Sequence, residues 1–270
     1  MGGYSRVRAL TRGIEILQLL NQHATATPQE LANASGLARP TTYRLLETLR
    51  SMGIVERARS HEGYRLTSKV RTLSSGFQDD SWVIEVATPV LMKLGQEVLW
   101  PAALLTFEQD AMVVRESTHP FSPVSINRGM EGRRIPIMLT AGGRAYLAFC
   151  PDGERRGILE RLARSDSAEA APARDARLVG KIIERTRTAG YGERMNGEFT
   201  PDSASIALPI RYDGRVVGCI PIIWFRWAVS PSKAVEQVLP PLRTAVSAIE
   251  HRLQAHPDVL ACASKARNAV

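Results

Sequence analysis

Two helix starts separated by a glycine constrain the first seventy residues more strongly than any other feature of this 270-residue sequence. Thr27 can cap a helix, Pro28 fits its first turn, and Glu30 can accept a hydrogen bond from the Thr27 amide. Gly36 can adopt the left-handed conformation that ends a helix, and a second helix restarts at Arg39. Two short helices across a tight turn that contains glycine predict a helix-turn-helix.

An amphipathic helix is predicted before this pair, from Arg6 to about Gln22, because apolar residues recur there at spacings of three and four. Its apolar stripe holds Val7, Leu10, Ile14 and Leu17. In the second helix of the pair, the residues predicted to pack on the first two helices are Thr42, Leu45, Leu46, Leu49 and Met52. The pattern therefore predicts a three-helix unit.

The opposite face of that second helix is chemically suited to the major groove of DNA. Arginine can read guanine through two hydrogen bonds, and threonine and tyrosine can bond phosphate. We therefore predict that the DNA contacts from this helix are made by Arg39, Thr41, Thr42, Tyr43 and Arg44, although Thr42 also falls on the packing face.

A short hairpin is predicted after the second helix, with strands over Ile54–Ala58 and Gly63–Thr67. Such a hairpin is a wing, and it would lay Arg57, Arg59 and Arg65 along a phosphate backbone. A solvated surface side chain is the alternative for each arginine taken alone. The ordered set favours a winged helix-turn-helix that contacts DNA.

The positive charge of the chain is concentrated in the same region. Residues 1–72 carry eleven Lys or Arg and five Asp or Glu, so they hold +6 of the formal net charge of +8. A small basic region joined to a nearly neutral remainder is typical of a polyanion-binding module with a separate partner domain. A solvated basic surface is the alternative on charge alone.

Composition limits the remaining classes of protein. The content of 44% hydrophobic and 23% charged residues is that of a globular chain, and no apolar stretch reaches the ~20 residues of a membrane-spanning helix. The first ten residues lack the apolar run of a secretory signal. Cys150, Cys219 and Cys262 are scattered and odd in number, which fits a reducing compartment. We expect a cytoplasmic protein without a membrane partner.

Two helices are predicted in the connector, over Ser68–Phe77 and Ser81–Val98. The second helix has an apolar stripe formed by Ile84, Ala87, Leu91, Leu94 and Val98. This stripe fits either a contact in a dimer or a place in the core of its own chain.

From residue 99 the pattern alternates between strands and helices and closes with a long helix. Strands are predicted over Ala103–Phe107, Ala111–Glu116, Arg134–Leu139, Ser205–Tyr212 and Arg215–Trp224. Helices are predicted over Gly143–Cys150, Asp152–Ala163, Arg177–Ala189 and Pro231–Gln254. This order predicts an α+β fold in which an antiparallel sheet is covered on one face.

Three segments of the sequence carry a family resemblance. They are RALTRGIEILQLL…ATPQELANASGLARPTTYRLLETLRSMGIVERARSHEGYRLTSKV, then RRIPIMLTAGGRAYLAF, then SIALPIRYDGRVVG. They resemble the IclR family of bacterial transcriptional regulators, and the resemblance extends to about Gln254. Within that family, WPAALLTFEQDAMVVRESTHPFSP is most similar to MhpR-like activators of aromatic-acid catabolism.

The resemblance implies a division of the chain and a set of partners. It implies a winged helix-turn-helix at 1–72, a linker helix at 73–98, a GAF-like antiparallel-sheet effector domain at 99–255 and a tail at 256–270. It also implies double-stranded operator DNA, a small-molecule effector, and a homodimer or dimer of dimers held in part by the first helix and the linker. Residues matching Ala141, Gly142 and Ser205 line the effector site in the family, and the same alignment brings Val124, Ile135, Met195 and Ile223 near it.

The turn from Thr140 to Gly143 is a candidate ligand site from its chemistry as well, because it follows a predicted strand and begins a helix. Small residues let a ligand approach the backbone, and amides at a helix N-terminus suit a carboxylate. A tight turn made by two glycines is the alternative. If the side chain of Arg133 or Arg134 pointed into this site, it would add a charge-assisted hydrogen bond to a carboxylate. The alternative is that both side chains lie on the surface.

The chain departs from the family's polar version of this site. Ser205 replaces a common cysteine, and Met195 falls near a position that is often acidic. Pro221 and Ile223 stand where small hydroxyl residues occur in members that bind small oxo-acids. These replacements make the site more apolar, and they favour a flat aromatic carboxylate over a two- or three-carbon acid.

Nothing in the sequence predicts an enzyme. The five histidines are far apart, and no nucleophile, phosphate-binding or metal-ligand motif occurs. We predict no catalytic residues, no metal and no cofactor. The predicted function is a DNA-binding transcriptional regulator controlled by a small aromatic carboxylate. The alternatives are a winged-helix protein-interaction adaptor and an enzyme whose site is assembled in the C-terminal domain.

Overall fold

The computed structural model describes residues 7–58, 63–76, 80–125, 129–196, 198–199 and 201–257. The chain forms an N-terminal unit of residues 1–78 with 127–129 and a C-terminal unit of residues 79–126 with 130–270. Most of the predicted linker at 73–98 therefore belongs to the C-terminal unit. Of the predicted tail at 256–270, residues from 258 onward lie outside the described part of the chain.

Three helices and a two-stranded hairpin form the N-terminal unit, as the sequence predicts. The elements are α1 (Arg8–Gln22), α2 (Pro28–Ser35), α3 (Arg39–Ser51), β1 (Val55–Arg57) and β2 (Tyr64–Leu66). The two strands pair antiparallel, and a short 3₁₀ helix follows at Ser68–Leu73. Side chains from all five elements build one core, which includes Ile16, Leu20, Leu31, Leu46, Val55 and Tyr64.

The limits of α2 follow signals that are local in the sequence. The Thr27 hydroxyl accepts a hydrogen bond from the Glu30 amide at 3.2 Å, and the Thr27 amide donates to the Glu30 carboxylate at 2.8 Å. Gly36 adopts a φ of 66°, which ends the helix. The predicted capping box and glycine stop are confirmed, and they place the start of α3 three residues later.

Three of the four residues in the apolar stripe predicted for α1 face solvent, whereas the fourth, Leu17, is half-buried against the core of the unit. Val7, Leu10 and Ile14 are 66%, 62% and 48% exposed, whereas Ile16 and Leu20 on another side of the helix are buried. The helix itself is confirmed, but the residues that attach it to the unit differ from those expected. An apolar stripe that its own unit does not cover is typical of a contact surface.

The C-terminal unit is built on a six-stranded antiparallel sheet with the order β5-β4-β3-β8-β7-β6. The strands are β3 (Ala103–Glu108), β4 (Ala111–Ser117), β5 (Arg134–Pro136), β6 (Gly192–Arg194), β7 (Ser203–Tyr212) and β8 (Arg215–Phe225). The helices are α4 (Thr88–Val98), α5 (Ala141–Phe149), α6 (Asp152–Arg164), α7 (Ala176–Ala189) and α8 (Pro231–Ala255). Neither β6 nor a 3₁₀ helix at Ala168–Arg174 is predicted by the sequence pattern.

Both faces of the sheet are covered, so the expectation of one covered face is wrong. Leu104, Ile206 and Ile222 pack in a core with α4 and α8. The alternate residues of the same strands, such as Ala207 and Cys219, pack in a second core with α5, α6 and α7. Successive strand residues point to opposite faces, so helices on both sides bury a continuous run of β7.

The second connector helix belongs to the first of these cores. It begins with a π-helical stretch at Trp82–Ala87 and continues as α4. Leu91 and Leu94 are buried, whereas Ile84 is 52% exposed. Most of the predicted stripe therefore packs within its own chain. Across the described residues, no helix has both the length and the hydropathy that crossing a bilayer requires.

Candidate nucleic-acid interface and ligand site

The N-terminal turns of α3 present a cationic surface. Arg39 and Arg44 are exposed, Tyr43 is 43% exposed, and Thr41 is half-buried. Within the described part of the chain, neither Arg39 nor Arg44 has a carboxylate partner. The structure thus leaves two guanidinium groups available for an external anion on the face that the sequence assigns to DNA.

Thr42 does not belong to this surface. The residue is fully buried in the N-terminal unit, and its hydroxyl donates to the Ala38 carbonyl at 3.4 Å. Its prediction as a DNA contact is wrong, because the packing face of α3 places it against α1 and α2. Met52, which was expected on that packing face, is instead 51% exposed near the end of the helix.

Glu47 ties the wing to α3 through a network that no pattern in the sequence indicates. Its carboxylate accepts hydrogen bonds from Arg50 and from the Tyr64 hydroxyl, and it lies 3.5 Å from the Arg57 guanidinium. Arg57 also donates to the Tyr43 hydroxyl at 2.9 Å. Hydrogen bonds from Arg50 and then Tyr64 lower the pKa of Glu47 to about 2. The network therefore stays ionised at neutral pH and fixes Arg57 beside α3.

Of the two other arginines predicted in the wing, the structure describes only Arg65. Arg65 pairs with Glu56 across the hairpin at 2.6 Å, and both side chains are about half exposed. Arg59 lies outside the described residues. A concavity of ≈ 460 Å³ lies between the wing, α2 and α3, and its lining includes Arg39, Tyr43 and Arg57. Its cationic and phenolic groups match the donors that bind a phosphate backbone.

In the C-terminal unit, the turn before α5 is tightly packed. The Thr140 hydroxyl donates to the Pro136 carbonyl at 2.8 Å and accepts from the Gly143 amide at 3.3 Å. A Cβ at Gly142 would overlap the Leu105 side chain, and one at Gly143 would overlap the backbone of Ile137. The two glycines therefore allow α5 to lie directly on its neighbours, and Thr140 already occupies the Gly143 amide.

The structure brings only some of the predicted ligand residues together. Ser205 and Ile223 are direct partners in neighbouring strands. Ala141 of α5 lies against Gly192, which pairs with Ala207 two residues after Ser205. These residues share the α5 face of the sheet at one end of β7.

The other predicted ligand residues lie elsewhere in the unit. Ile135 is buried in β5 at the opposite edge of the sheet, and Val124 is 37% exposed in the loop after β4. Met195 packs against the core of α4 and α8, and with Arg144 it lines a separate cavity of ≈ 370 Å³.

Arg194 is a buried cation that the sequence does not predict as a site residue. It is 3% exposed and pairs in register with Ser205, so its side chain lies on the same face of the sheet. No sequence signal marks it, because β6 is only three residues long. The two arginines that were considered as carboxylate ligands have other contacts: Arg134 donates to the Glu108 and Gln109 carbonyls, and Arg133 to the Met130 sulfur.

Metal chemistry has no support in the described residues, among which no group of three His, Cys, Asp or Glu is arranged to hold an ion. The two cysteines described, Cys150 and Cys219, are both buried, and burial raises the pKa of each thiol. Neither thiol therefore has the properties of a reactive nucleophile.

Two family profiles match the chain over most of its length. The profile described as the IclR helix-turn-helix domain matches residues 9–59, and the profile described as the bacterial transcriptional regulator IclR C-terminal domain matches residues 79–251. The second match begins at residue 79, where the C-terminal unit begins, and the first match lies wholly within the N-terminal unit.

Individual relatives are distant. The Escherichia coli DNA-binding transcriptional repressor YiaJ is 27% identical over 143 residues, which are 53% of this chain and 51% of YiaJ. The chain thus spans about half the length of the first curated relatives that it matches. Both of these relatives are named as regulators of transcription.

Solved structures share the fold over nearly the whole chain. The Thermotoga maritima IclR structure is 18% identical with a TM-score of 0.59, and it covers 92% of this chain and 99% of its own. An IclR homologue from Microbacterium hydrocarbonoxydans, complexed with 4-hydroxybenzoate, is 20% identical with a TM-score of 0.55 and the same coverage. Profile matches in both units, joined to a winged helix-turn-helix and an antiparallel-sheet domain, establish that the chain belongs to the IclR family of bacterial transcriptional regulators.

Proposed function

We propose that this chain is a cytoplasmic DNA-binding regulator that inserts α3 into the major groove of an operator and lays the wing on the adjacent phosphates. The observation that carries the proposal is the pair of exposed guanidinium groups, Arg39 and Arg44, without carboxylate partners in the described residues. Arg57 supports it, because the Glu47 network holds this cation beside α3.

The operator-binding form is a homodimer in this proposal, with α1 as part of the contact. Val7, Leu10 and Ile14 form an exposed apolar stripe on that helix. Two copies of α3 about 34 Å apart can read successive major grooves on one side of a DNA duplex. Once one copy is bound, the second half-site binds intramolecularly, which raises the affinity for a two-part operator.

The effector in this proposal is a small aromatic carboxylate. On the β8 side of Ser205 the sheet is apolar, since Pro221 is buried and Ile223 half-buried on the same face. Phe225 follows Ile223 by two residues, and its ring stacks on that of Trp227 with the centroids 5.4 Å apart. Aromatic ligands gain from burial of ring area and from offset stacking on such rings. Because the Microbacterium homologue was solved in complex with 4-hydroxybenzoate, that acid is a reasonable first compound to test on this chain.

Effector and operator are coupled by linkage in this proposal. An effector that binds one arrangement of the dimer better than another shifts the population that is competent to bind DNA. A coupling free energy of ~1–3 kcal/mol gives a response of several-fold to about a hundredfold. In this proposal, residues 1–72 bind DNA and residues 99–255 bind the effector.

The salt dependence of DNA binding tests the proposed function. With ~6 phosphate contacts per dimer, the logarithm of the association constant should fall with the logarithm of salt concentration at a slope of about −5. The measurement is a binding titration on a duplex selected from random sequence by the protein, followed by footprinting. A protein-interaction adaptor or an enzyme would give no sequence-specific protection at any salt concentration.

Arg44→Ala tests the placement of α3. We expect a loss of about 10- to 100-fold in affinity for the selected duplex, because an arginine that reads a base contributes ~1–3 kcal/mol of discrimination. Arg71→Ala removes an exposed arginine outside α3 and should change affinity less than about threefold. Equal affinities for Arg44→Ala and the unmodified chain in a gel-shift titration would place the recognition surface elsewhere.

A further inference from the structure

Three neighbouring strands place a cation, a hydroxyl and an apolar side chain next to each other. Arg194 of β6 pairs with Ser205 of β7, and Ser205 pairs with Ile223 of β8. Directly paired residues of antiparallel strands point to the same face. The face is that of α5, because Gly192, two residues before Arg194, lies against Ala141 of that helix. The three side chains therefore form a row at the end of the sheet where the predicted effector residues converge.

Arg194 is fixed in position and removed from water. Its guanidinium donates to the Ser203 carbonyl at 3.0 Å and to the Ser203 hydroxyl at 2.8 Å, and the residue is 3% exposed. Burial lowers the pKa of Arg194 to about 10, and the favourable influence of Glu198 does not offset this effect. Arg144, which also lowers that pKa, bridges Glu198 at 3.1 Å. Arg194 is thus a buried cation held at a fixed place, where a ligand carboxylate would gain a charge-assisted hydrogen bond.

Ser205, which the family resemblance already assigns to the effector site, supplies a second polar group beside Arg194. The residue is 3% exposed, and its hydroxyl forms no hydrogen bond with any other described residue. The Ser205 oxygen is not among the described polar atoms that are both sealed from solvent and without a partner, so the hydroxyl keeps some access and can donate to a ligand. Its position beside Arg194 makes the pair suited to a carboxylate, which can accept from a guanidinium and from a hydroxyl together.

We infer that Arg194, with the Ser205 hydroxyl beside it, binds the carboxylate of the effector and makes the chain selective for anionic ligands. The inference deepens the proposed function and rests on it, because it assigns the anionic end of the proposed ligand to one residue. It replaces the candidates of the sequence: Arg134 lies in β5, at the opposite edge of the sheet from β6, and Arg133 directly precedes that strand. The apolar end of the ligand then lies toward Ile223 and the stacked Phe225 and Trp227 rings.

A pair of nearly identical compounds isolates the charge. Calorimetry on the full chain should show 4-hydroxybenzoate binding about 10- to 100-fold more tightly than 4-hydroxybenzamide, as expected for a hydrogen-bonded charge. Arg194→Met should reduce this preference to within about threefold while leaving the affinity for the amide unchanged. Arg194→Lys keeps the charge without the two-bond geometry and should retain part of the preference.

Arg134→Met is the matched control, because it removes an exposed arginine that donates to backbone carbonyls. It should keep the full preference for the acid. The thermal midpoint and DNA binding without ligand report whether each variant folds. If Arg194→Met does not fold, Arg194→Lys supplies the measurement. A purely structural role for Arg194 would change the midpoint and leave the acid-to-amide preference as it is, and that result overturns the inference.

Two results separate this inference from the proposed function. If the unmodified chain binds the acid and folded Arg194 variants keep the full preference, the role of Arg194 is wrong and the proposed effector class stands. If the unmodified chain binds neither aromatic compound, the proposed effector class is wrong, and pyruvate with pyruvamide repeats the comparison for Arg194. Failure of pyruvate as well overturns both proposals.

Discussion

Replacing Gly143 by alanine is expected to destabilise the C-terminal unit by at least about 3 kcal/mol, which is the upper range for overpacking a core. The new Cβ would fall 2.5 Å from the Cα and carbonyl carbon of Ile137, and closer still to its oxygen. These are backbone atoms, so no rotamer change relieves the overlap. Ile137 is buried, and Thr140 bonds both Pro136 and Gly143, so the turn has no room to retreat.

A denaturant titration of the full chain measures this effect, with tryptophan fluorescence as the signal for unfolding. Trp82 and Trp224 are both buried in the C-terminal unit, so they report its unfolding. Gly180→Ala is the matched control, because this exposed glycine lies inside α7 and its added Cβ meets nothing within 4 Å. It should stabilise the unit by about 0.5–1 kcal/mol through helix propensity. Similar midpoints for the two variants would show that the turn is not packed as described.

The helix-turn-helix could be predicted from the sequence because its signals are local. A capping box at Thr27 and a glycine at position 36 fix the ends of α2 without help from the rest of the chain. The wing strands and the basic face of α3 follow from short patterns of the same kind. Hydrophobic periodicity located both long strands of the later hairpin to within two residues at each end.

Features that depend on tertiary packing could not be predicted from local sequence signals. Periodicity identified α1 as amphipathic, but it did not show that Ile16 and Leu20, and not Leu10 and Ile14, attach the helix to its unit. Strand β6 is too short to leave a pattern, so Arg194 had no place in the predicted site. Helix coverage on both faces of the sheet likewise depends on which helices return to which side.

Replacing Leu10 and Ile14 by glutamine is expected to convert the proposed dimer into monomers and to lower operator affinity by about 100-fold or more. The loss follows because the second half-site would no longer bind at the high effective concentration that a linked partner provides. Both side chains lie on the exposed stripe of α1, so the stability of the N-terminal unit should change by less than about 0.5 kcal/mol for each substitution.

Sedimentation velocity and a gel-shift titration measure the two effects on the same preparation. Glutamine adds no charge and is a good helix former, so neither electrostatic repulsion from DNA nor loss of α1 would explain a decrease. Glu15→Gln places the same residue at an exposed position outside the apolar stripe, so the mass should stay that of the dimer, and the loss of one negative charge should not lower operator affinity. A double variant that keeps the mass of a dimer and its operator affinity would move the self-association surface away from α1. The exposure of Val7, Leu10 and Ile14 would then need another partner.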